Sequence, residues 1–195
     1  ELPIMHALCS APEMGYVLAL QEAVVIAMAV GYARASNKLV SCNVHVAPGL
    51  GNAIGSIYTS MMSGTPMIVT AGQQEQGHGL TEPLLYAPLV PIAQPVVKWA
   101  TEVNRIEDLP RIIHEAFYVA QSGRPGPVVL DIPKDMTIPS QKFPYEYPKD
   151  IKLRSYNPNA KGHPGQIKKA LTTLLAAKKP VLYAGGGVIL GQASD

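Results

Sequence analysis

Three features of the sequence stand where chemistry could be done. Glu22 lies in LALQEAVVIAMAV and is the only formal charge between Glu13 and Arg34. It falls where an apolar strand-like run hands over to an apolar helical run. Two readings are open. A glutamate in a helix first turn is stabilised by the dipole and needs no further role. A carboxyl group buried among apolar neighbours resists ionisation, and can donate to or accept from a ligand nitrogen. His45 lies in VHVAPGLGNAIG, residues 44–55. A strand, a glycine-bearing turn and a helix in that order form the ligand crevices of open α/β sheets. His45 is then either a structural histidine or an acid–base group at the crevice. Gly49, Gly51 and Gly55 miss the dinucleotide pattern G-x-G-x-x-G by one residue, and no acidic residue takes the ribose role. Residues 71–88, AGQQEQGHGLTEPLLYAP, supply a polar loop at the same sheet edge. His78 within it reads as a surface histidine.

The elements that must position these residues alternate. Residues 16–20 (YVLAL), 39–46 (LVSCNVHV), 66–71 (PMIVTA), 96–99 and 127–132 (PVVLDI) read as strands. Residues 21–35, 52–63 and 108–121 read as helices. In the last of these Leu109, Ile112, Ile113, Ala116, Phe117 and Ala120 fall at helical spacing, and Gly123 stops it. The expected fold is α/β, a mostly parallel sheet with helices on both faces. Composition shifts after Pro133: residues 134–163 hold four prolines and six basic against three acidic side chains. The expected organisation is a domain over 1–135, a linker over 136–163, and the incomplete beginning of a second α/β domain over 164–195. In that last part a helix (165–177) and a strand (180–184) lead to Gly185-Gly186-Gly187, a further candidate turn for a nucleotide.

Composition limits the function classes. The chain has 195 residues, 47% hydrophobic and 15% charged, against about 25% charged in an average soluble domain. Only eight of the charged side chains fall in the first hundred residues. A region so poor in charge is expected to be covered by an obligate protein interface. The longest strongly apolar run, residues 23–33, is too short to span a bilayer. A net charge of +2 gives no reason to expect nucleic acid. Cys9 and Cys42 have no metal-ligand spacing and suit a reduced, cytoplasmic setting. ELPIMHALCSAP is not a signal peptide; it begins in mid-pattern, so a fragment is expected.

YVLALQEAVVIAMAVGYARAS, VHVAPGLGNAIG, IVTAGQQ and VVKWA together resemble the N-terminal domain of thiamine-diphosphate-dependent 2-keto-acid decarboxylases, benzoylformate decarboxylase above all. SGRPGPVVLDIPKD is equally similar to acetolactate synthase and its kin. The resemblance implies a pyrimidine-binding α/β domain whose first strand and following turn are absent here. It implies thiamine diphosphate with Mg2+, the metal ligands lying in a later domain, and a homodimer or homotetramer. Glu22 matches the glutamate that shares a proton with the aminopyrimidine. His45 matches the active-site histidine that relays protons. Gly49, Gly51 and Asn52 match the turn beside the cofactor, Gln73 the loop edge of the site, and Leu84 and Leu85 the leucines of the substrate pocket. The activity so implied is decarboxylation of a 2-keto acid. The alternative is carboligation of two keto acids, and the alternative of another class is a non-catalytic nucleotide-binding or interaction module.

Overall fold

In the computed structural model the residues described are 2–138, 144–145, 161–191 and 193. The chain divides into two compact units, Glu1–Lys152 and Leu153–Asp195. The first unit holds α1 (Leu2–Leu8), α2 (Glu22–Ser36), β1 (Val40–Val44), α3 (Val46–Ser63), β2 (Met67–Gln73), α4 (Leu89–Ala93), β3 (Trp99–Glu102), α5 (Leu109–Gln121) and β4 (Pro127–Pro133). The four strands form one parallel sheet in the order β1-β2-β4-β3. β2 and β4 lie in the middle and read as continuous apolar runs because both faces are covered.

Alternation along the strands sorts the core into two layers. On one face Val44, Met67, Val69 and Val129 pack against Ile26 and Ala29 of α2, Leu50, Ala53 and Ile57 of α3, and Leu89 and Ala93 of α4. On the other, Ile68, Val128, Leu130 and Ile132 pack against Ile112, Ala116 and Ala120 of α5. The parallel sheet covered on both faces is thus present. α5 starts one residue inside its expected bounds, and α2 is offset by one from its own, Gln21 serving as N-cap.

Three expectations are corrected. Residues 16–20 form no strand: they pair with nothing among the described residues, and Val17, Leu18 and Leu20 are exposed. An apolar run satisfies the pattern of a buried strand, but a strand exists only with a partner for its N–H and C=O groups. β1 stops at Val44, and α3 begins at Val46 rather than at residue 52. The fourth strand is Trp99–Glu102 rather than 96–99, because residues 94–96 close a 3-10 turn around Pro95. α4 was not expected; its five residues carry a proline and no clear period.

The second unit contains α6 (Pro164–Ala176) and α7 (Gly186–Leu190). The helix expected there is present, shifted by one residue. The strand expected at 180–184 is not formed, and the three glycines stand at the start of α7, Gly185 as its N-cap residue. Most of the expected linker, 136–163, lies outside the described residues.

Two cations explain segments that the sequence singled out. Lys98 of VVKWA donates from Nζ to the carbonyl oxygens of Val119 and Ser122 at the end of α5. Arg124 of SGRPG donates to the carbonyl oxygen of Met62 at the end of α3. Both sit where a helix dipole and unsatisfied carbonyls favour positive charge. Gly126 makes the first arrangement possible: a Cβ there would lie 3.0 Å from Cγ and Cδ of Lys98. Lys98→Met should therefore lower stability by about 1.5–3 kcal/mol, the usual worth of hydrogen bonds to a charged group. Urea denaturation of wild type and variant checks this: the midpoint should fall with the slope unchanged.

Candidate functional site

The site is built on the junction between β1 and α3. His45 occupies the N-cap position of α3 without a side-chain bond to the helix, and Val46 takes a φ of 46°. That left-handed conformation is a true outlier for a β-branched residue and costs on the order of 1–3 kcal/mol. It turns the chain within one residue, so no separate glycine turn is needed. Pro48, Gly49, Gly51 and Asn52 consequently lie within the first turns of α3, where proline is tolerated.

Gly49 is buried against the start of α2. A Cβ on it would lie 3.1 Å from Oε1 of Glu22 and 3.5 Å from Cβ of His45. The absent side chain is thus the space that the Glu22 carboxyl occupies. Asn52, on the same face of the helix, donates from Nδ2 to Oε2 of Glu22 at 3.2 Å. Gln21 caps α2, its Oε1 accepting from the backbone N–H of Val24 at 3.1 Å. Glu22 is half-buried rather than enclosed. It stands in a helix first turn, as the first of the two readings has it, and the full burial that the second supposes is not reached. A Cβ on Gly51, which is exposed on α3, would have nothing within 4 Å.

A cleft of about 370 Å³ opens at the carboxyl ends of β1, β2 and β4. His45, Asn43, Gln73, Leu85, Ile132 and Lys134 are among its lining residues, with Leu2 and Ile4 on α1. Asn43 is held by donating from Nδ2 to Oγ1 of Thr70 at 2.8 Å. Gln73 is buried, and its amide is engaged within the chain: Nε2 donates to the carbonyl oxygen of Ala87, and Oε1 accepts from the N–H of Gln74, both at 2.9 Å.

The expected site residues therefore fall into two groups joined by His45. Glu22, Gly49 and Asn52 meet at the α2–α3 contact. Gln73 and Leu85 line the cleft. His45 borders both groups. Leu84 is 95% exposed and does not line the cleft, and Gly51 and His78 are exposed as well. Among the described residues no cluster of His, Cys, Asp or Glu could hold a metal ion.

Asp131 is the group that sequence reasoning missed. It is 1% exposed, in the middle of an apolar strand. Burial pushes its carboxyl up to about 7, Glu102 nearby pushes in the same direction, and hydrogen bonding from Gln73 opposes them. A signal was available, though weaker than that of Glu22: PVVLDI sets one acid among apolar residues, with Lys134 three residues further on. The sign of the consequence follows from linkage. Between the ordinary value of 3.8 and about 7, the folded chain holds a proton that the unfolded chain has released. Stability from this group is thus greatest below that window, falls as pH rises through it, and levels off above it. Asp131→Asn removes the effect. Thermal melts from pH 4 to 8 should show the variant gaining on the wild type across the window and by a constant amount beyond it. Parallel curves would refute the assignment.

Comparison with known proteins bears on this arrangement. Residues 1–84 match the family model described as "Thiamine pyrophosphate enzyme, N-terminal TPP binding domain". The acetolactate synthase large subunit of Haemophilus influenzae is 43% identical over 194 residues, 100% of this chain and 34% of that protein. The acetolactate synthase isozyme 3 large subunit of Escherichia coli is 44% identical over 188 residues, 96% of this chain and 33% of that protein. Among solved structures, benzoylformate decarboxylase from Polynucleobacter necessarius superposes with a TM-score of 0.75 at 36% identity, over 91% of this chain and 33% of that one. The chain spans about a third of the length of these relatives. It belongs to the thiamine-diphosphate-dependent enzymes, of which it carries the N-terminal domain.

Proposed function

We propose that the intact protein carrying this chain joins two 2-keto acids with loss of carbon dioxide, as an acetolactate synthase does. What carries this reading is the identity of 43% to an acetolactate synthase large subunit along the whole chain, against 36% to the benzoylformate decarboxylase structure. In this reading residues 1–135 are the pyrimidine-binding domain, 136–163 a linker, and 164–195 the opening of the next domain. The protein is a cytoplasmic homo-oligomer, and Mg2+ and the cofactor's diphosphate are held by residues outside this chain.

The residues present fit thiamine diphosphate at its pyrimidine end. A carboxyl that is half-open, anchored by an amide and backed by a glycine suits a flat ring with a basic nitrogen. When bound, the cofactor supplies the electron sink that decarboxylation of a 2-keto acid requires. Glu22 holds a proton at the ring nitrogen, and Asn52 fixes the carboxyl's orientation. Gly49 keeps the space for that carboxyl clear. His45, shared by both groups, moves protons between the cofactor side and the cleft. Leu85 and Ile132 give the cleft an apolar wall for the substrate's side chain.

A second reading is decarboxylation of an aromatic keto acid without ligation. Its support is His45 at an apolar cleft and the likeness to a benzoylformate decarboxylase structure. Product analysis of the intact protein with thiamine diphosphate and Mg2+ separates the two. Pyruvate should yield the coupled five-carbon product; aldehyde release from benzoylformate with no coupled product would favour the second reading.

Two variants test the roles. Glu22→Gln should retain cofactor and lose turnover by at least about 10²-fold, with slowed solvent exchange of the cofactor's acidic ring proton; undiminished exchange would remove Glu22 from this role. His45→Ala should lower turnover by roughly 10²–10⁴ with little change in cofactor affinity. The oligomer has its own check. Val24, Met28 and Tyr32 form an exposed stripe on α2, next to exposed Tyr58 and Met62 of α3. Sedimentation should show a dimer or larger, and charged residues at Met28 and Tyr58 should dissociate it.

A further inference from the structure

Three strand ends meet at one glutamine. β2, β4 and β3 are parallel neighbours in the sheet, so their carboxyl ends lie along one edge. Gln76 follows β2. Its backbone N–H donates to Oδ1 of Asp135, just beyond β4, at 3.2 Å. Its side-chain Nε2 donates to the carbonyl oxygen of Asn104, just beyond β3, at 3.1 Å, and to Asn104 Oδ1 at 3.3 Å. Both partners are themselves held. Asn104 donates from Nδ2 to the carbonyl oxygen of Glu102 at 3.4 Å. Asp135 stands in the 3-10 turn Lys134–Thr137, which Thr137 closes by donating from Oγ1 to the carbonyl oxygen of Lys134 at 2.9 Å. Gln76 is exposed and belongs to neither core layer, so packing gives no reason for its place. Its contribution is its donors, one on the backbone and two on the amide.

These bonds join two walls of the cleft. One wall is Leu85, carried by the segment between β2 and α4, residues 74–88. That segment is packed on itself. Tyr86 N–H donates to the carbonyl oxygen of Pro83 at 2.9 Å, and Glu82 N–H to that of Gly79 at 3.1 Å. The ring of Tyr86 occupies the space that a Cβ on Gly79 would need. Such a segment moves as a piece, and its fastenings decide where it sits. Its exit is fastened by Gln73, which donates to the carbonyl oxygen of Ala87 at 2.9 Å. Its entry is fastened by Gln76. The other wall is the turn after β4, where Lys134, Thr137 and Ile138 line the cleft around Asp135. Bonds that share one residue order it once, so the conformational cost of holding Gln76 is met a single time for both partners.

We propose that Gln76 is a positioning residue: by bonding Asp135 and Asn104 it latches the entry of residues 74–88 to the ends of β4 and β3, and so sets the spacing between Leu85 and the Lys134–Ile138 wall. That a keto acid enters between these walls rests on the function proposed above; the latch itself does not. Hydrogen–deuterium exchange of the intact protein, followed by mass spectrometry over residues 74–88, reads the latch without reference to activity. Gln76→Glu keeps the side chain's length but has no hydrogen to donate, and sets a charge against the Asn104 carbonyl. Exchange in the segment should rise about five- to tenfold while β1 and α5 stay as in the wild type. Asp135→Ala removes the other acceptor and should open the same residues by a similar factor. Asp135→Asn keeps Oδ1 and should stay within about twofold of the wild type. Should either opening variant fail to fold, the other decides. Wild-type exchange over residues 74–88 in a folded Gln76→Glu or Asp135→Ala protein overturns the latch. So does opening in Asp135→Asn equal to that in Asp135→Ala, or opening spread equally over β1 and α5. In steady-state assays the opened variants should raise KM for the keto acid several-fold with kcat little changed. Opening without any change in KM upholds the latch and removes Leu85 from the substrate.

Discussion

A carboxylate placed between two packed helices needs space and a partner, and the contact between Glu22 and α3 supplies both. α2 and α3 make the most extensive helix–helix contact of the fold. Gly49 leaves out the one side chain that would collide with Oε1 of Glu22, and Asn52 binds Oε2 from one turn further on. The glycine therefore acts by what it lacks, and its helical position is tolerated despite a propensity cost of about 1 kcal/mol relative to alanine. An alanine at the same place would force the carboxylate aside by a few tenths of an ångström, enough to alter its bond to Asn52. Every role proposed for Glu22 depends on this small vacancy.

The parallel sheet was legible because β2 and β4 carry continuous apolar runs and α5 a clean helical period. Glu22 and His45 were legible as a lone acid and a strand-end histidine. The failures have physical causes. Residues 16–20 have the composition of a buried strand, yet composition does not supply the neighbour whose backbone would complete the ladder. The start of α3 was hidden because its first turns hold Pro48, Gly49 and Gly51, residues that elsewhere mark turns. A single left-handed residue, Val46, makes the tight entry possible, and no pattern in VHVAPG announces it. Asn52 as the partner of Glu22 required knowing that two helices thirty residues apart in sequence lie side by side.

Two acids, Glu22 and Asp131, stand within apolar runs of this sequence. Glu22 and Asp131 are alike in sequence but differ in setting. Glu22 is half-exposed at a helix start, beside an amide that orients it. Asp131 lies in the sheet interior beside Glu102, where burial and like charge favour the protonated form. The first setting leaves a carboxylate partly open to solvent, and the second favours a neutral carboxyl. Environment, rather than residue type, separates the two.

His45 joins these parts because of the strain beside it. Val46 keeps a left-handed backbone only while the surrounding packing enforces it, and that packing is secure: Val44 precedes it at 2% exposure and Leu50 follows at 0%. Both flanks are buried in one core layer, and the turn between them leaves His45 at the boundary between the Glu22 contact and the cleft. A relaxed turn of several residues would have let the imidazole wander, at an entropic cost whenever it had to be placed. Holding the strain in the backbone puts that cost into folding rather than into each encounter with a ligand, which is the sense in which a strained residue pre-organises a site.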